Sequence, residues 1–163
     1  MKIGTRFKNE PYLAFKKEDA VLDKNLNCYV TPVDKAIELW KGRSVAVSAI
    51  VAAVDGKDIY FLVNQRGKGT PDYKDKWNFT CGYLEGHESA NEGCTREVYE
   101  ETGIMIDPDK FELVMVQTNP LMCNHGNVTL RYLCVLPYLI DIPDDCCNTE
   151  SRGGEKGEVS DVK

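Results

Sequence analysis

Residues 82–104 read GYLEGHESANEGCTREVYEETGI, and no other stretch limits the fold as much. Ser89 and Glu92 have the Ser-x-x-Glu spacing of a capping box, and Gly103 takes the place of a helix stop. Between them Ala90, Cys94, Val98 and Thr102, spaced by four, predict one core-facing stripe. Glu97, Glu100 and Glu101 fall on an arc beside that stripe. They are expected at the edge of the packed interface, open to solvent and ligand. Three like charges there repel one another, and no lysine is interleaved at i+4 to relieve them. Arg96 is placed to hold one carboxylate in a two-pronged grip. An all-oxygen donor set favours a hard cation, Mg²⁺ or Mn²⁺, over zinc. Mg²⁺ accepts phosphate oxygens as co-ligands, so the chemistry predicted is metal-assisted attack of water on a phosphate ester or anhydride.

Around this helix the chain alternates in character. Residues 1–30 are weakly periodic and are expected to form an irregular or strand-containing arm. Thr31-Pro32-Val33-Asp34 has the chemistry of a helix start, with Ile37, Leu39 and Trp40 as apolar surface and Gly42 as the stop. The expected organisation is an N-terminal arm and helix over 1–42, then a domain over 43–163. Ser44 to Val54 predicts a strand buried on both faces. Asp55-Gly56 signals a hairpin into a second strand, Ile59 to Val63. RGKGTPDYKDKW is a loop by composition, and Trp77 to Cys81 is extended. Phe111 to Gln117 and Val128 to Leu136 are further strands, and the polar run from Asp141 reads as a loop. Strands, then a helix, then strands predict an α/β (α+β) fold with a mixed sheet flanked by helices.

The net charge of -6 and a pI near 5.0 argue against non-specific nucleic-acid binding. No apolar run approaches the roughly 20 residues of a membrane helix, and the N-terminus lacks the apolar core of a signal peptide. The seven cysteines are irregularly spaced, contain no CxxC pair and fit no structural zinc module; they read as reduced thiols in a cytoplasmic protein.

The segment resembles the Nudix hydrolase signature in full, from Gly82 through Glu88, Arg96-Glu97, Glu100-Glu101 and Gly103 to the aliphatic Ile104. The resemblance implies a Nudix-like α/β/α sandwich. It also implies that Glu97, Glu100 and Glu101, with the backbone carbonyl of Gly82, bind Mg²⁺ or Mn²⁺. Arg96 would position Glu97, and Glu88 would act through a metal-bound water. The general base in such enzymes is Glu97 itself, Glu101, or a distal acid; Glu158, ahead of Glu155, resembles the distal acid. The implied reaction is hydrolysis of a diphosphate bond in a nucleoside diphosphate linked to another moiety. Cys81 departs from the pattern, standing where a glycine is common.

Arg66, Lys68, Lys74 and Lys76 form a basic loop suited to phosphates, and Pro120 resembles a proline of the ADP-ribose pyrophosphatases. Arg66, Lys68 and Pro120 are therefore the expected substrate contacts, with a nucleotide sugar or an ADP-ribose-like nucleotide as the favoured substrate. Tyr73, Trp77, Phe79 and Tyr83 are candidates for base stacking. A homodimer is common in the family and is expected here. In relatives a further helix follows the final strand, so the chain is expected to be incomplete at its C-terminus. Two other readings are a nucleotide-sensing domain without catalysis and an RNA 5′-pyrophosphohydrolase; the intact glutamate set and the lack of a basic stripe disfavour them.

Overall fold

The computed structural model describes residues 21–23, 28–30, 38–40, 44–123 and 126–163. The chain divides into two compact units, Met1–Arg43 and Ser44–Lys163.

In the first unit, β1 (Val21–Asp23), β2 (Cys28–Val30) and β3 (Glu38–Trp40) form an antiparallel sheet in that order. This corrects the helix expected through Leu39 and Trp40. Glu38–Trp40 pairs with Cys28–Val30, Leu39 opposite Tyr29, and the ladder overrides the local helix signal. The cap signals at Thr31–Asp34 lie outside the described residues.

The second unit is organised by β4 (Val45–Asp55). One edge of β4 runs parallel to β10 (Val128–Leu136) from Val45 to Ala53. The other edge carries two antiparallel partners in succession: β8 (Thr80–Tyr83) along Ala46–Ala49, then β5 (Asp58–Leu62) along Val51–Asp55. The hairpin between β4 and β5 turns at Gly56, whose φ of 61° suits glycine. β9 (Glu112–Gln117) closes the far side, antiparallel to β10. The sheet is therefore mixed, as the alternation of elements predicts. One face of β4 is deeply buried through Val47, Ala49, Val51 and Ala53. On the opposite face Ala52 is buried while Ala46, Ser48 and Ile50 stay half-covered, so the expected burial on both faces holds fully for one and in part for the other.

α1 (Ala90–Thr102) packs on the buried face. Ser89 accepts from the Glu92 backbone while the Glu92 carboxylate accepts from the Ser89 N–H, a complete capping box. Cys94, Val98 and Thr102 are wholly buried; Cys94 and Val98 join the core of Val47, Val51, Tyr132 and Cys134, with Ile104, Ile106 and Phe111 sealing the helix exit. Among the described residues, no helix is long and apolar enough to cross a membrane.

A smaller sheet, ordered β11–β6–β7, stands beside this core: β6 (Asn64–Arg66), β7 (Trp77–Asn78) and β11 (Val159–Val162). The polar run expected as a loop from Asp141 contains a 3-10 turn at Thr149–Arg152, and β11 follows it. Its fixed points are buried polar contacts. The Thr149 hydroxyl donates to the Glu155 carbonyl. Arg152 donates to the carbonyls of Glu100, Asp145 and Cys146. Val159 and Val162 join the hydrophobic core and Cys146 and Cys147 pack against it, so a segment of polar composition is ordered by hydrogen bonds together with a few buried apolar side chains.

α1 ends where Gly103 adopts φ 76°, its N–H bonded to the Tyr99 carbonyl. A side chain at this left-handed position is strained, and a Cβ would press on Pro143 and Arg152. Gly103→Ala is expected to lower stability by about 1–2 kcal/mol in urea denaturation; an unchanged midpoint would refute this account of the helix stop.

Candidate active site

The glutamates of α1 lie deeper than an edge position. Glu97 is 7% exposed and Glu101 2%, while Glu100 is partly covered. The helix arc points where expected, but β6, β8 and the turn at Thr149–Arg152 close over it. Local periodicity does not report cover supplied from elsewhere in the chain.

Arg96 organises one side of the cluster. Its Nε and Nη2 grip the Glu88 carboxylate at 2.9 and 2.8 Å. Its Nη1 reaches Glu97 at 2.7 Å and Glu100 at 3.1 Å, and Nη2 also donates to the Tyr83 carbonyl. Glu88 accepts from the Glu85 backbone as well, and the Arg96 grip holds its carboxyl below the usual range. Arg96 is thus not an exposed helix partner. One cation braces three carboxylates and ties the helix to the strand that precedes it.

Glu101 occupies the other side. It accepts from Asn64 Nδ2 at 2.5 Å and from the Cys81 backbone N–H. Burial raises its pKa well above the carboxylate norm, and the charges of Glu97 and Glu158 add to the shift. Burial likewise raises Glu97 to about 7, against the pull of Arg96.

Gly82 belongs to β8, opposite Val47, rather than to a turn. A Cβ there would overlap the Glu97 carboxylate, so the glycine is required by close approach. Glu158 faces the same cluster: its charge is felt by both Glu97 and Glu101, and burial raises its own pKa. Glu155 is exposed. Two backbone bonds set the position of Glu158, from Gly67 N–H to the Glu158 carbonyl at 2.6 Å and from Gly69 N–H to the Gly157 carbonyl at 2.8 Å. Side chains at Gly67 or Gly69 would collide with the backbone of Lys156 and Gly157.

Among the described residues no three Asp, Glu, His or Cys side chains stand in a ready-made coordination arrangement, because the acids are turned toward Arg96 and Asn64. The donor chemistry nevertheless fits a hard divalent cation. Two buried carboxylates with raised proton affinity face a third acid, Glu158. The glycine cradle at Gly82 leaves its backbone open to Glu97.

A cleft of about 450 Å³ is lined by Arg66, Tyr73, Lys76, Trp77, Cys81 and Met122, among others. Cys81 connects it to the glutamates, and burial pushes its thiol to about 12, so it stays protonated. Tyr73 and Trp77 are 64% and 41% exposed, more than core aromatics would be. Tyr73 and Asp75 adopt φ of 48° and 62°, held by backbone bonds from Asp75 to Arg66 and from Lys76 to Tyr73. Of the expected substrate contacts, Arg66 lines the cleft while paired with Asp72 at 2.7 Å. Lys68 and Pro120 are exposed and do not line it, although Leu121, next to Pro120, does. Phe79 and Tyr83 also lie outside the lining. Lys76, another member of the basic loop, does line the cleft. Asn64 escaped the sequence reading; its one signal is an asparagine within the strand-like run FLVNQR, where that residue type is uncommon.

A NUDIX domain model matches residues 42–162. Phosphatase NudJ of Escherichia coli K12 is 33% identical over 108 residues, which cover 63% of this chain and 65% of NudJ. The chain thus spans about two thirds of the length of the curated relatives it matches. The NUDIX domain of Shewanella oneidensis NrtR, solved with ADP ribose, superimposes with a TM-score of 0.59 at 20% identity, covering 76% of this chain and 73% of that one. A bifunctional NMN adenylyltransferase/ADP ribose pyrophosphatase from Francisella tularensis, solved with AMP and a manganese ion, gives 0.56 at 24% identity, covering 76% and 34%. The chain belongs to the Nudix hydrolase family, and its mixed α/β fold is the fold of these structures.

The raised carboxyls make stability depend on pH with a definite sign. Glu97 holds its proton up to about pH 7 when folded but only to the ordinary carboxylate value when unfolded. The folded state therefore binds more protons between those values, and stability falls as pH rises through that window. With EDTA present, the melting temperature is expected to be higher near pH 5 than near pH 7.5. Excess Mg²⁺ is expected to narrow the gap by stabilising the ionised cluster. Equal melting temperatures at the two pH values in EDTA would contradict the assigned burial.

Proposed function

We propose that the protein hydrolyses a diphosphate bond in a nucleoside diphosphate joined to a second moiety, with a nucleotide sugar or an ADP-ribose-like compound favoured, in a reaction dependent on Mg²⁺ or Mn²⁺. The observation that carries this reading is the juxtaposition of two buried, mutually repelling carboxylates, Glu97 and Glu101, with a cleft bearing both cations and exposed aromatics. Buried acids of this kind call for positive charge, and a cation shared with phosphate oxygens supplies it.

In this reading Glu97, Glu100, Glu101 and the Gly82 carbonyl hold the ion. When bound, the ion neutralises phosphate charge and makes the attacking water more acidic. Arg96 fixes the carboxylates of Glu88, Glu97 and Glu100 so that they need little reorganisation. Glu88 contributes through a water of that shell. Glu158 is the favoured base, with Glu97 and Glu101 as alternatives, because it faces the cluster from a separate loop with a raised pKa. It takes the proton from water as the new P–O bond forms and the bridging P–O bond breaks, giving two phosphorylated products. Arg66 and Lys76 would meet the phosphates, and Tyr73 and Trp77 a base or sugar. The NUDIX domain of NrtR was solved with ADP ribose, which supports testing that compound here; the name of NudJ adds simpler phosphate compounds to the test.

Glu100→Gln and Glu101→Gln are each expected to lower kcat/KM by at least roughly 10²-fold, with circular dichroism unchanged. The assay is phosphate or nucleotide release from nucleoside triphosphates, ADP-ribose, nucleotide sugars, dinucleoside polyphosphates and coenzyme A, each with Mg²⁺ or Mn²⁺. Wild-type turnover that persists in both variants would sink the proposal. Tight ADP-ribose binding without turnover would favour the sensing reading instead. Within the cleft, Trp77→Ala is expected to raise KM about tenfold with a smaller change in kcat, since stacking contributes on the order of 1 kcal/mol; an unaltered KM would remove Trp77 from the substrate site.

A further inference from the structure

Among the described residues, Asn64 is the one buried amide that touches the glutamate cluster from outside α1. It lies in β6, is 2% exposed, and stands opposite Val162 of β11 and Asn78 of β7. Its Nδ2 donates to Glu101 Oε2 at 2.5 Å. In the ionised state that would hold a cation Glu101 only accepts, so in that state the Nδ2 end of the amide faces it, as the structure has it. The other end, Oδ1, is buried and has no hydrogen-bond partner among the described residues. An orphaned buried acceptor costs stability. An apolar residue of similar size would avoid that cost and would continue the apolar run Phe61-Leu62-Val63 that leads into β6. The fold alone therefore gives no reason for an amide at this place, and the contact with Glu101 does.

We infer that Asn64 is a positioning residue: its amide holds the Glu101 carboxylate in the orientation in which it receives the divalent cation. The inference rests on Glu101 being a metal ligand, as proposed above. Two donors on one carboxylate, the Asn64 side chain and the Cys81 backbone, restrict its rotation in a way that neither does alone. Partners of this kind around metal ligands typically contribute 10- to 100-fold in affinity. Because the donor comes from a different strand, it also ties the helix that carries the ligands to the sheet that carries Arg66 and Trp77.

The test is Mn²⁺ binding to the full chain, followed by electron paramagnetic resonance of the free ion, without substrate. Wild type, Asn64→Leu, Asn64→Thr, Glu101→Gln and the Asn64→Leu/Glu101→Gln double variant are compared, with thermal melting in EDTA for each. Asn64→Leu removes the donor at similar volume; Asn64→Thr suits a strand but its hydroxyl falls short of Glu101. Both are expected to bind Mn²⁺ about tenfold more weakly, with melting temperatures in EDTA equal to or above wild type. In the Glu101→Gln background, Asn64→Leu is expected to add little further loss, as coupled residues do. Wild-type affinity in both single variants overturns the inference while leaving the metal reading intact. Full additivity in the double variant also overturns it, as does loss of the folded signal in both single variants, which would assign Asn64 to the fold. Wild-type Mn²⁺ binding unaffected by Glu101→Gln removes the metal reading itself, and the inference with it.

Discussion

Burial of like charge is the constraint around which this molecule is arranged. Glu97 and Glu101 lie one helical turn apart, both nearly out of water, and the Glu158 charge reaches both. Burial pushes both groups toward their protonated forms rather than out to solvent. Here each carboxylate is held in place by a specific donor. Arg96 takes Glu97, and Asn64 with the Cys81 backbone takes Glu101. The capping box, the left-handed stop at Gly103 and the fully buried stripe of Cys94, Val98 and Thr102 make α1 rigid enough to keep the acids there.

The helix was legible almost residue by residue, because its signals are local. Ser89, Glu92 and Gly103 act through backbone groups within a turn of themselves. The strands β4, β5, β9 and β10 were legible for a related reason: β-branched and apolar runs bounded by turn residues carry their own evidence. Which edges pair was not. Nothing in SVAVSAIVAAV says that one edge serves β8 and then β5, or that β10 runs parallel to it.

The misses share a cause. Glu38–Trp40 took part in a ladder with Cys28–Val30, a non-local pairing that cap residues cannot report. The tail after Asp141 is ordered by Arg152 and Thr149 reaching carbonyls and by Val159 and Val162 entering the core, contacts that polar composition conceals. Lys68 and Lys76 are equivalent by charge and separated only by the path of the loop, which turns through positive φ at Tyr73 and Asp75 and brings Lys76 to the cleft. Asn64 could be seen as odd in its strand but not as the partner of Glu101, which lies 37 residues further on.

The seam at Gly67, Gly69 and Gly157 bears on how this scaffold can diverge. Backbone lies directly on backbone there, with no side chain between to absorb a shift. The loop that shapes the cleft and the loop that carries Glu158 are in effect one mechanical piece. Lengthening or tilting the first to admit a larger leaving group also displaces the acid. Under the function proposed above, a change of cleft shape and the placement of the Glu158 acid are thus inherited together, and a lineage that changes one must rebuild the other.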